Sequence, residues 1–143
     1  MGELEELLEQ MLCKTYTRII YGEEKILKDM IGDKLSLKEF HTLDIIFSTT
    51  ANNTNTASNI ARALGITLST LTINTDRLIA KGYVTKVKKD GDRRITHLCL
   101  TNMGNQIRLK HENLHAKAVK NAIKNLNTTE KVALINAINK LEF

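Results

Sequence analysis

The feature that most constrains the fold is a glycine-punctuated pair of short helical segments in residues 56–82. Thr56 precedes the segment ASNIARAL and Gly65 follows it, which is the usual order of an N-cap hydroxyl and a C-terminal glycine. Thr67 and Gly82 enclose the next segment, LSTLTINTDRLIAK, in the same way. Two short helices joined in this manner form a helix-turn-helix corner. Such corners occur in many helical proteins, so the pattern alone predicts a local motif and no function.

The sequence that follows extends this corner into a larger unit. Residues 83–87 and 95–100 alternate in polarity and are rich in β-branched side chains, and Asp90-Gly91 between them is a strong hairpin signal. Helix, turn, helix and hairpin, in that order, predict a winged helix-turn-helix unit. The hairpin carries five cations, which are Lys86, Lys88, Lys89, Arg93 and Arg94. Because like charges repel, their crowding predicts a negatively charged partner, most simply the phosphates and minor groove of DNA.

The charge of the whole chain is distributed unevenly. Its net charge is +5, but residues 1–40 carry −3 while residues 41–103 and 104–143 carry +4 each. In the middle part, the positive charge is concentrated in residues 77–94. A localised basic patch is typical of proteins that bind a phosphate backbone. A solvated basic face explains the same charge equally well, so charge alone does not decide between the two.

Apolar residues at helical spacing flank the winged helix unit on both sides. Residues 3–30 predict one long amphipathic helix, and SLKE at 36–39 predicts a capping box at the start of a second helix. After the hairpin, residues 101–126 and 128–141 predict two more helices. The apolar faces of the first and last helices require burial, and an isologous homodimer would bury them.

These patterns predict a mainly α fold with a small β-hairpin wing. The expected organisation is an N-terminal dimerisation helix in residues 1–34, a winged helix-turn-helix DNA-binding domain in residues 35–103 and C-terminal dimerisation helices in residues 104–143. The expected partners are therefore double-stranded DNA and a second copy of the chain.

Several other classes of protein do not fit the sequence. No apolar run approaches the ~20 residues that span a bilayer, and the acidic start MGELEELLEQ does not resemble a signal peptide, so we expect a cytoplasmic protein. Cys13 and Cys99 are far apart and match no metal spacing. No Ser-His-Asp arrangement, Gly-rich phosphate loop or pair of catalytic carboxylates is evident. We expect no enzyme, no cofactor and no metal.

The stretch TASNIARALGITLSTLTINTDRLIAKGYV, followed by DGDRRITHLCLTNMG, resembles the MarR family of bacterial transcription regulators. The resemblance covers about residues 36–104 and includes Asp92 and Arg94 of the wing signature, the dipeptide Leu100-Thr101 and Gly104. It implies a dimeric winged helix repressor or activator that binds a pseudo-palindromic operator. Many such proteins respond to a small ligand, and some respond to cysteine oxidation.

Two shorter stretches, KEFHTLDII at 38–46 and GDRRITHLCLT at 91–101, resemble the fatty-acid-synthesis repressors of Firmicutes within that family. This resemblance implies control of lipid biosynthesis genes, with a long-chain acyl-acyl carrier protein as co-repressor. The chain departs from the family at Ile73, where a basic residue is common, and at Thr75, where an apolar residue is usual. The operator sequence therefore cannot be inferred from a relative.

The second helix of the corner supplies the predicted base contacts, because the first turns of a recognition helix reach base edges. The residues concerned are Ser69, Thr70, Thr72, Ile73 and Asn74. Hydroxyl groups donate to or accept from several bases, an isoleucine can contact a thymine methyl group and an asparagine can read adenine. Helix capping or phosphate contact is the alternative for Ser69 and Thr70, and for Thr70 it carries equal weight.

Two further residues of the corner are expected at the DNA backbone. Thr56 caps the first helix, whose amide end can receive a phosphate. Arg77 is expected to contact a phosphate, and a surface ion pair with Asp76 is the alternative.

The wing is expected to contact both the backbone and the minor groove. Arg94 is predicted to enter the minor groove, because a guanidinium suits a narrow A·T-rich groove. The family resemblance implies that Asp92 orients the wing by pairing with an arginine. The residues predicted to neutralise phosphates are Lys86, Lys88, Lys89 and Arg93.

Three histidines raise the question of a bound ligand. His111 and His115 have the i, i+4 spacing that can hold zinc, but no third ligand is evident, so a solvated or packed pair is expected. His41, beside the core-facing Phe40, is either a helix-surface residue or a wall of a ligand pocket between the dimerisation helices and the winged helix unit.

Cys13 lies early on the first helix, near Tyr16 and Tyr21. Peroxide-sensing members of the MarR family place a reactive cysteine there, so a redox-sensing repressor is one alternative function. A reactive thiol needs a lowered pKa and access, and the sequence shows neither, so we expect an inert, partly buried thiol. Cys99 is expected to be structural. The other alternative function is a winged helix adaptor that binds protein instead of DNA.

Overall fold

The computed structural model describes residues 2–32, 34–89, 91 and 93–142. The elements, in chain order, are α1 Glu3–Ile31, α2 Leu37–Ala51, α3 Ala57–Leu64, α4 Leu68–Ala80, β1 Val84–Val87, β2 His97–Leu100, α5 Asn102–Ala122 and α6 Thr128–Ile138. Within the described residues, six helices and one two-stranded antiparallel hairpin confirm the mainly α fold with a small β wing. None of the described helices is long and apolar enough to cross a membrane.

Side-chain caps begin several helices where the sequence predicts them. At α2 the Ser36 hydroxyl accepts from the Glu39 amide at 3.1 Å, and the Glu39 carboxylate accepts from the Ser36 amide at 2.9 Å, which completes the predicted capping box. Asn127 and Glu130 form the same box at α6. Gly65 ends α3 with φ 66°, a left-handed conformation that favours glycine. Local sequence signals therefore decide where these helices begin and end.

Three element boundaries differ from the prediction. α5 ends at Ala122 rather than near residue 126, and α6 ends at Ile138 rather than near residue 141. β2 begins at His97, two residues later than expected. The reason in β2 is that the Thr96 carbonyl accepts from the Ala57 amide at the start of α3, at 3.0 Å.

The hairpin is tied to the segment that precedes α3. β1 and β2 pair in an antiparallel register with Val84 opposite Leu100. The buried Asn55 donates from Nδ2 to the Leu98 carbonyl at 2.8 Å, and the Asn55 carbonyl accepts from the Leu98 amide at 3.0 Å. Because an isolated two-stranded hairpin is only marginally stable, these bonds help to hold the wing in place, together with the burial of Val84 and Leu98.

One hydrophobic core joins the winged helix unit to the C-terminal part of α1. Its buried apolar residues are Leu27, Leu35, Phe40, Leu43, Ile46, Ile60, Ala61, Leu71, Leu78, Tyr83, Val84 and Leu98. Phe47 follows Phe40, Leu43 and Ile46 at helical spacing, which predicts an inward position, but it is 40% exposed. Its ring stacks under Arg108, whose guanidinium carbon lies 3.5 Å from the ring centroid. This cation–π contact joins α2 to α5.

Gly104 stands at a close approach between α5 and the wing. A Cβ atom at this position would overlap the Tyr83 carbonyl oxygen. The Thr101 hydroxyl donates to the Gly82 carbonyl at 2.6 Å and accepts from the Gly104 amide at 3.1 Å. These contacts fix the start of α5 to the start of β1.

The flanking helices leave many apolar side chains exposed. On α1 these are Leu4, Leu7, Leu8, Met11 and Leu12, and on α6 they are Val132, Leu134, Ile135 and Ile138. No residue of α6, which is described throughout, is buried. Helices with apolar faces are stabilised mainly by packing, so these faces require a further surface.

Candidate nucleic-acid interface

Thr67 organises the start of α4. Its hydroxyl accepts from the Thr70 amide at 3.2 Å, and it is hydrogen-bonded to the hydroxyls of Thr70 at 2.9 Å and Ser69 at 3.1 Å. Thr72 donates its hydroxyl hydrogen to the Leu68 carbonyl at 2.9 Å. The hydroxyls of Ser69 and Thr70 therefore belong to the cap network, as the alternative for these residues expects. All of these side chains are exposed, and a hydroxyl has more hydrogen-bonding capacity than one local bond uses.

α4 has one buried and one exposed face, with one departure from the prediction. Leu71, Thr75 and Leu78 are buried, whereas Ile73 is 56% exposed on the opposite face. Thr75 fits the core because its hydroxyl donates to the Leu71 carbonyl at 2.9 Å. Leu68 shares the helical spacing of Leu71, Thr75 and Leu78, which predicts an inward position, but it is 49% exposed because it lies in the first turn, beside the groove described below.

The ion pair of Asp76 joins α4 to the wing. Lys86 Nζ lies 3.1 Å from Asp76 Oδ1, and the two side chains are 46% and 58% exposed. The partner of Asp76 is thus Lys86 on β1, and the alternative of a pair between Asp76 and Arg77 is not the arrangement described. Arg77 is exposed on the outer side of α4, and Asn74 is half-buried.

The wing lysines are not equivalent. Lys88 Nζ donates to the Arg93 carbonyl at 3.1 Å and to the Thr96 hydroxyl at 3.2 Å, so it bridges the two arms of the hairpin. Lys89 is exposed, as is the side chain of Arg93. Lys88 therefore links the two arms of the wing, and its predicted phosphate contact stays a prediction.

The tip of the wing is described in part. Gly91 has φ 105°, a conformation that L side chains rarely adopt, as the hairpin signal predicts. Asp90 and Asp92 lie outside the described residues, and so does the predicted pairing of Asp92. Arg94 follows the tip and is exposed.

A groove of about 320 Å³ separates α4 from the wing. Its polar lining residues are Thr56, Ser58, Thr72, Thr75, Lys86, Arg94 and Thr96. Thr56 caps α3 by accepting from the Asn59 amide at 3.2 Å, and the Ala57 amide donates to the Thr96 carbonyl, so Ser58 is the first-turn residue that brings its amide to the groove. Hydroxyl groups, a helix amide end and two cations thus surround one concave surface. This combination suits the oxygens of a nucleic-acid backbone.

A second cavity, of about 550 Å³, lies between α1, α2 and α5, and His41 borders it. The almost buried His111 packs against Phe40, with ring centroids 4.2 Å apart. Glu23 is hydrogen-bonded through Oε2 to His111 Nε2 at 3.1 Å, and its Oε1 pairs with His115 Nε2. Sequence analysis missed Glu23, because it lies 88 residues before His111 and no local pattern connects them.

Asp44 borders the same cavity. Burial raises the pKa of its carboxyl above the ordinary value, although the charges of His111 and Arg108 oppose this shift. Among the described residues, no group of three or more His, Cys, Asp or Glu side chains is arranged to hold a metal ion. Glu23 therefore meets the two histidines as a hydrogen-bonding and ion-pairing partner.

Cys13 is exposed on α1, which corrects the expectation of a partly buried thiol. The reason is that the N-terminal half of α1 extends beyond the core, where Tyr16 and Tyr21 are exposed as well. Cys99 is half-buried in β2, and its sulfur accepts from Asn55 Nδ2 at 3.4 Å, in keeping with a structural role.

Comparisons with known proteins agree on one family. The family model described as "MarR family" matches residues 35–96. No curated protein matches the chain in sequence. FabT of Streptococcus pneumoniae, in a crystal structure in complex with DNA, is 27% identical with a TM-score of 0.82, over 94% of this chain and 92% of that chain.

Two other solved structures share the fold at lower identity. A MarR family protein from Bacillus stearothermophilus is 17% identical with a TM-score of 0.78, over 98% of this chain and 94% of that chain. A mutant of MarR from E. coli, complexed with operator DNA, is 21% identical with a TM-score of 0.63, over 98% of this chain and 96% of that chain. Residues 35–96 thus match the MarR family, and the chain shares the winged helix fold of these solved structures. These matches support a DNA-binding transcriptional regulator.

Proposed function

We propose that the chain is a homodimeric repressor that binds a pseudo-palindromic operator. The observation that carries this proposal is the groove in which α4, the start of α3 and the wing present hydroxyls, amides and cations to one side. In a winged helix complex, the helix in the position of α4 enters the major groove. The wing then follows the backbone into the adjacent minor groove.

The exposed face of α4 is proposed to read the bases. Ile73 is the most exposed apolar residue of this helix, and a thymine methyl group is its natural contact. Thr72 and Ser69 flank it with exposed hydroxyls. Thr70 is shared between capping and base contact, and Asn74 reaches the bases less directly because it is half-buried.

The backbone contacts are proposed to come from the residues around the groove. Thr56 presents the amide end of α3 to one phosphate, and Arg77 lies on the outer side of α4. Arg94 lines the groove and is proposed to enter the minor groove. The remaining phosphate contacts are assigned to Lys86, Lys89 and Arg93, with Lys88 supporting the shape of the wing.

The second copy is proposed to cover the exposed apolar faces of α1 and α6. Residues 1–34 and 104–143 would then serve as dimerisation helices around a DNA-binding domain in residues 35–103. A two-fold symmetric contact buries the same face on both protomers and places the two copies of α4 on successive half-sites.

The regulated genes are proposed to be those of fatty acid biosynthesis. The support is the 27% identity to FabT over nearly the full length of both chains. His41, from the stretch KEFHTLDII, borders the cavity between α1, α2 and α5, which is the proposed place for an acyl effector. An acyl ligand, free or carried by acyl carrier protein, is therefore the proposed effector.

The wing is tested by a pair of matched variants. Arg94→Ala should weaken operator binding by about tenfold or more, because it removes a minor-groove contact. Lys140→Ala, which removes a cation from the far end of the chain, should change the affinity less than twofold. Binding is measured by titration at several salt concentrations, and the salt dependence should decrease for Arg94→Ala. Equal effects of the two variants would refute the wing contact.

A redox-sensing repressor is the second candidate function, and the exposure of Cys13 is the observation that favours it. Mild peroxide should then abolish operator binding, and Cys13→Ser should bind normally and resist peroxide. Equal sensitivity of the wild-type protein and of Cys13→Ser would exclude this function.

A further inference from the structure

The cluster of Glu23, His111 and His115 is not explained by DNA contact or by the apolar dimerisation faces. We propose that it is a proton-binding joint between α1 and α5, and that proton uptake by the joint strengthens operator binding. The inference rests on the proposed operator-binding function. Histidine is the side chain whose ordinary titration falls between about pH 5 and 8, so the joint would act near neutral pH.

The geometry provides a bond that depends on protonation. One carboxylate, Glu23 on α1, meets two imidazoles of α5, with Oε2 at 3.1 Å from His111 Nε2 and Oε1 paired with His115. The two rings are stacked, with centroids 5.9 Å apart. A hydrogen bond between a protonated imidazole and a carboxylate is about twice as strong as a neutral one. Protonation therefore tightens the contact between α1 and α5.

Charged groups of three helices surround the two histidines. The groups that face the histidines are Glu23 and Arg18 on α1, His41 and Asp44 on α2, and Arg108 and Glu112 on α5. Three of these are carboxylates, and two are arginines. When they are ionised, three carboxylates and two arginines sum to a charge of −1, so a single proton shared by the histidine pair neutralises the cluster.

The position of the joint connects the proposed dimerisation face to the DNA-reading unit. The part of α1 that precedes Glu23 carries exposed apolar residues. α5 is fixed to the wing by the hydrogen bond from Thr101 to Gly82. His111 also packs against Phe40 of α2, inside the winged helix core. A change in the contact between Glu23 and α5 therefore changes how the winged helix unit is held relative to α1. In a dimer, that orientation decides the distance between the two copies of α4.

The orientation of α1 relative to α5 sets the direction of the effect. In the structure, α1 and α5 are oriented so that Glu23 contacts both histidines. The proposal assigns this closed joint, the arrangement in which Glu23 pairs with both histidines, to operator binding. Protons that strengthen the joint must then strengthen operator binding by linkage.

The test compares operator affinity at pH 6 and pH 8, in buffers that contain a chelator, for the wild-type protein and two matched variants. The ratio of operator affinity at pH 6 to operator affinity at pH 8 should be about fivefold larger for the wild-type protein than for Glu23→Gln. Glu24→Gln makes the same chemical change at the next position of α1 and should retain the wild-type ratio. Ionisable groups that all three proteins share, such as those near the wing, contribute equally and cancel in this comparison. The same pH ratio for wild-type protein and Glu23→Gln would overturn the proposal.

A second variant and a DNA-free measurement separate this inference from the proposed function. His115→Gln retains a hydrogen-bond donor at a partly exposed position, cannot titrate, and should reduce the pH ratio. In the free protein, the NMR titration of the His115 ring should shift when Glu23 is replaced by Gln. If the wild-type protein does not distinguish operator from random DNA, the proposed function fails. Independently of DNA, a His115 titration that is unchanged in Glu23→Gln overturns the joint. If operator binding is specific but His115→Gln retains the full ratio, the function stands and the joint is overturned.

Discussion

The winged helix unit and the flanking helices differ in how their apolar residues are covered. In the winged helix unit, Phe40, Leu43 and Ile46 of α2 are fully buried, and the core continues through α3, α4 and the hairpin. In α6 no residue is buried, and Ile135 is 58% exposed. The first region is stabilised by its own packing, whereas the second presents an apolar face that another surface must cover. The winged helix unit thus buries its apolar residues within the chain, together with the C-terminal part of α1, whereas α6 leaves its apolar residues exposed.

The largest expected effect comes from the flanking region. Ile135→Glu should convert the dimer to monomer and weaken operator binding by about a hundredfold, because two linked half-site contacts become one. Asn136→Glu introduces the same charge at the adjacent position of α6 and should preserve the dimer. Sedimentation measures the mass, and a titration measures the affinity. If the wild-type protein is a monomer, the exposed apolar face of α6 does not serve dimerisation, and the proposed contrast between the two regions fails.

The next effect lies in the winged helix unit. Gly104→Ala should lower the free energy of unfolding by about 1–3 kcal/mol, because the added Cβ overlaps the Tyr83 carbonyl. Gly22→Ala in α1 places a Cβ where nothing lies within 4 Å, and it should raise stability by about 0.5–1 kcal/mol through helix propensity. Urea unfolding at one protein concentration compares the two. Destabilisation of similar size in both variants would contradict the difference in packing.

A smaller effect should depend on pH. Burial acts to raise the pKa of the Glu39 carboxyl, but the hydrogen bonds from Ser36 and Lys81 and the charge of Lys81 outweigh it and leave the pKa below its ordinary value. A lowered folded-state pKa contributes stability at neutral pH that is lost as the pH falls through that value. Glu39→Gln should therefore lower the free energy of unfolding by about 1 kcal/mol at pH 7, and by less below about pH 4.

The capping box of α6 supplies the matched control for this prediction. Glu130 accepts from the Asn127 amide at 2.9 Å, as Glu39 does from Ser36. Glu130→Gln should have a smaller effect on unfolding, because Glu130 lies in a helix without buried residues and has no described partner like Lys81. A larger effect at Glu130 than at Glu39 would reverse the proposed ranking of the two regions.

The smallest effect distinguishes two neighbouring lysines of the wing. Lys89→Ala should weaken binding and reduce the slope of affinity against salt by about one phosphate contact. Lys88→Ala should weaken binding with less change in slope, because Lys88 bridges Arg93 and Thr96 within the hairpin. Titration of both variants at several salt concentrations makes the comparison. Identical slopes would show that Lys88 is also a phosphate ligand.

The order of the elements and the helix caps were predictable, because local residues decide them. Ser36 and Asn127 cap through partners three residues away, and Gly65 ends a helix by its own backbone conformation. Contacts between distant segments were not predictable. Glu23 meets the histidine pair, and Asn55 holds β2, across distances in sequence that no periodicity records.

The errors in predicting which helix side chains are buried have a related cause. Phe47 and Leu68 have the spacing of core residues but lie where their helices leave the core, so both are exposed. The hydroxyl of Thr75 was expected to be unusual, and the structure accounts for it through a bond to the helix backbone. Cys13 is exposed although a partly buried thiol is expected, because the chain alone does not cover that part of α1.

The central claim, that two copies of α4 read a symmetric operator, is tested most directly by selecting genomic fragments on the purified protein at near-physiological salt. The selected fragments should converge on a two-fold symmetric site with half-sites about one helical turn apart, bound by two chains. Neighbouring genes of lipid synthesis would support the proposed pathway. The claim would be contradicted by salt-sensitive binding that does not depend on DNA sequence, even after long-chain acyl-acyl carrier protein is added.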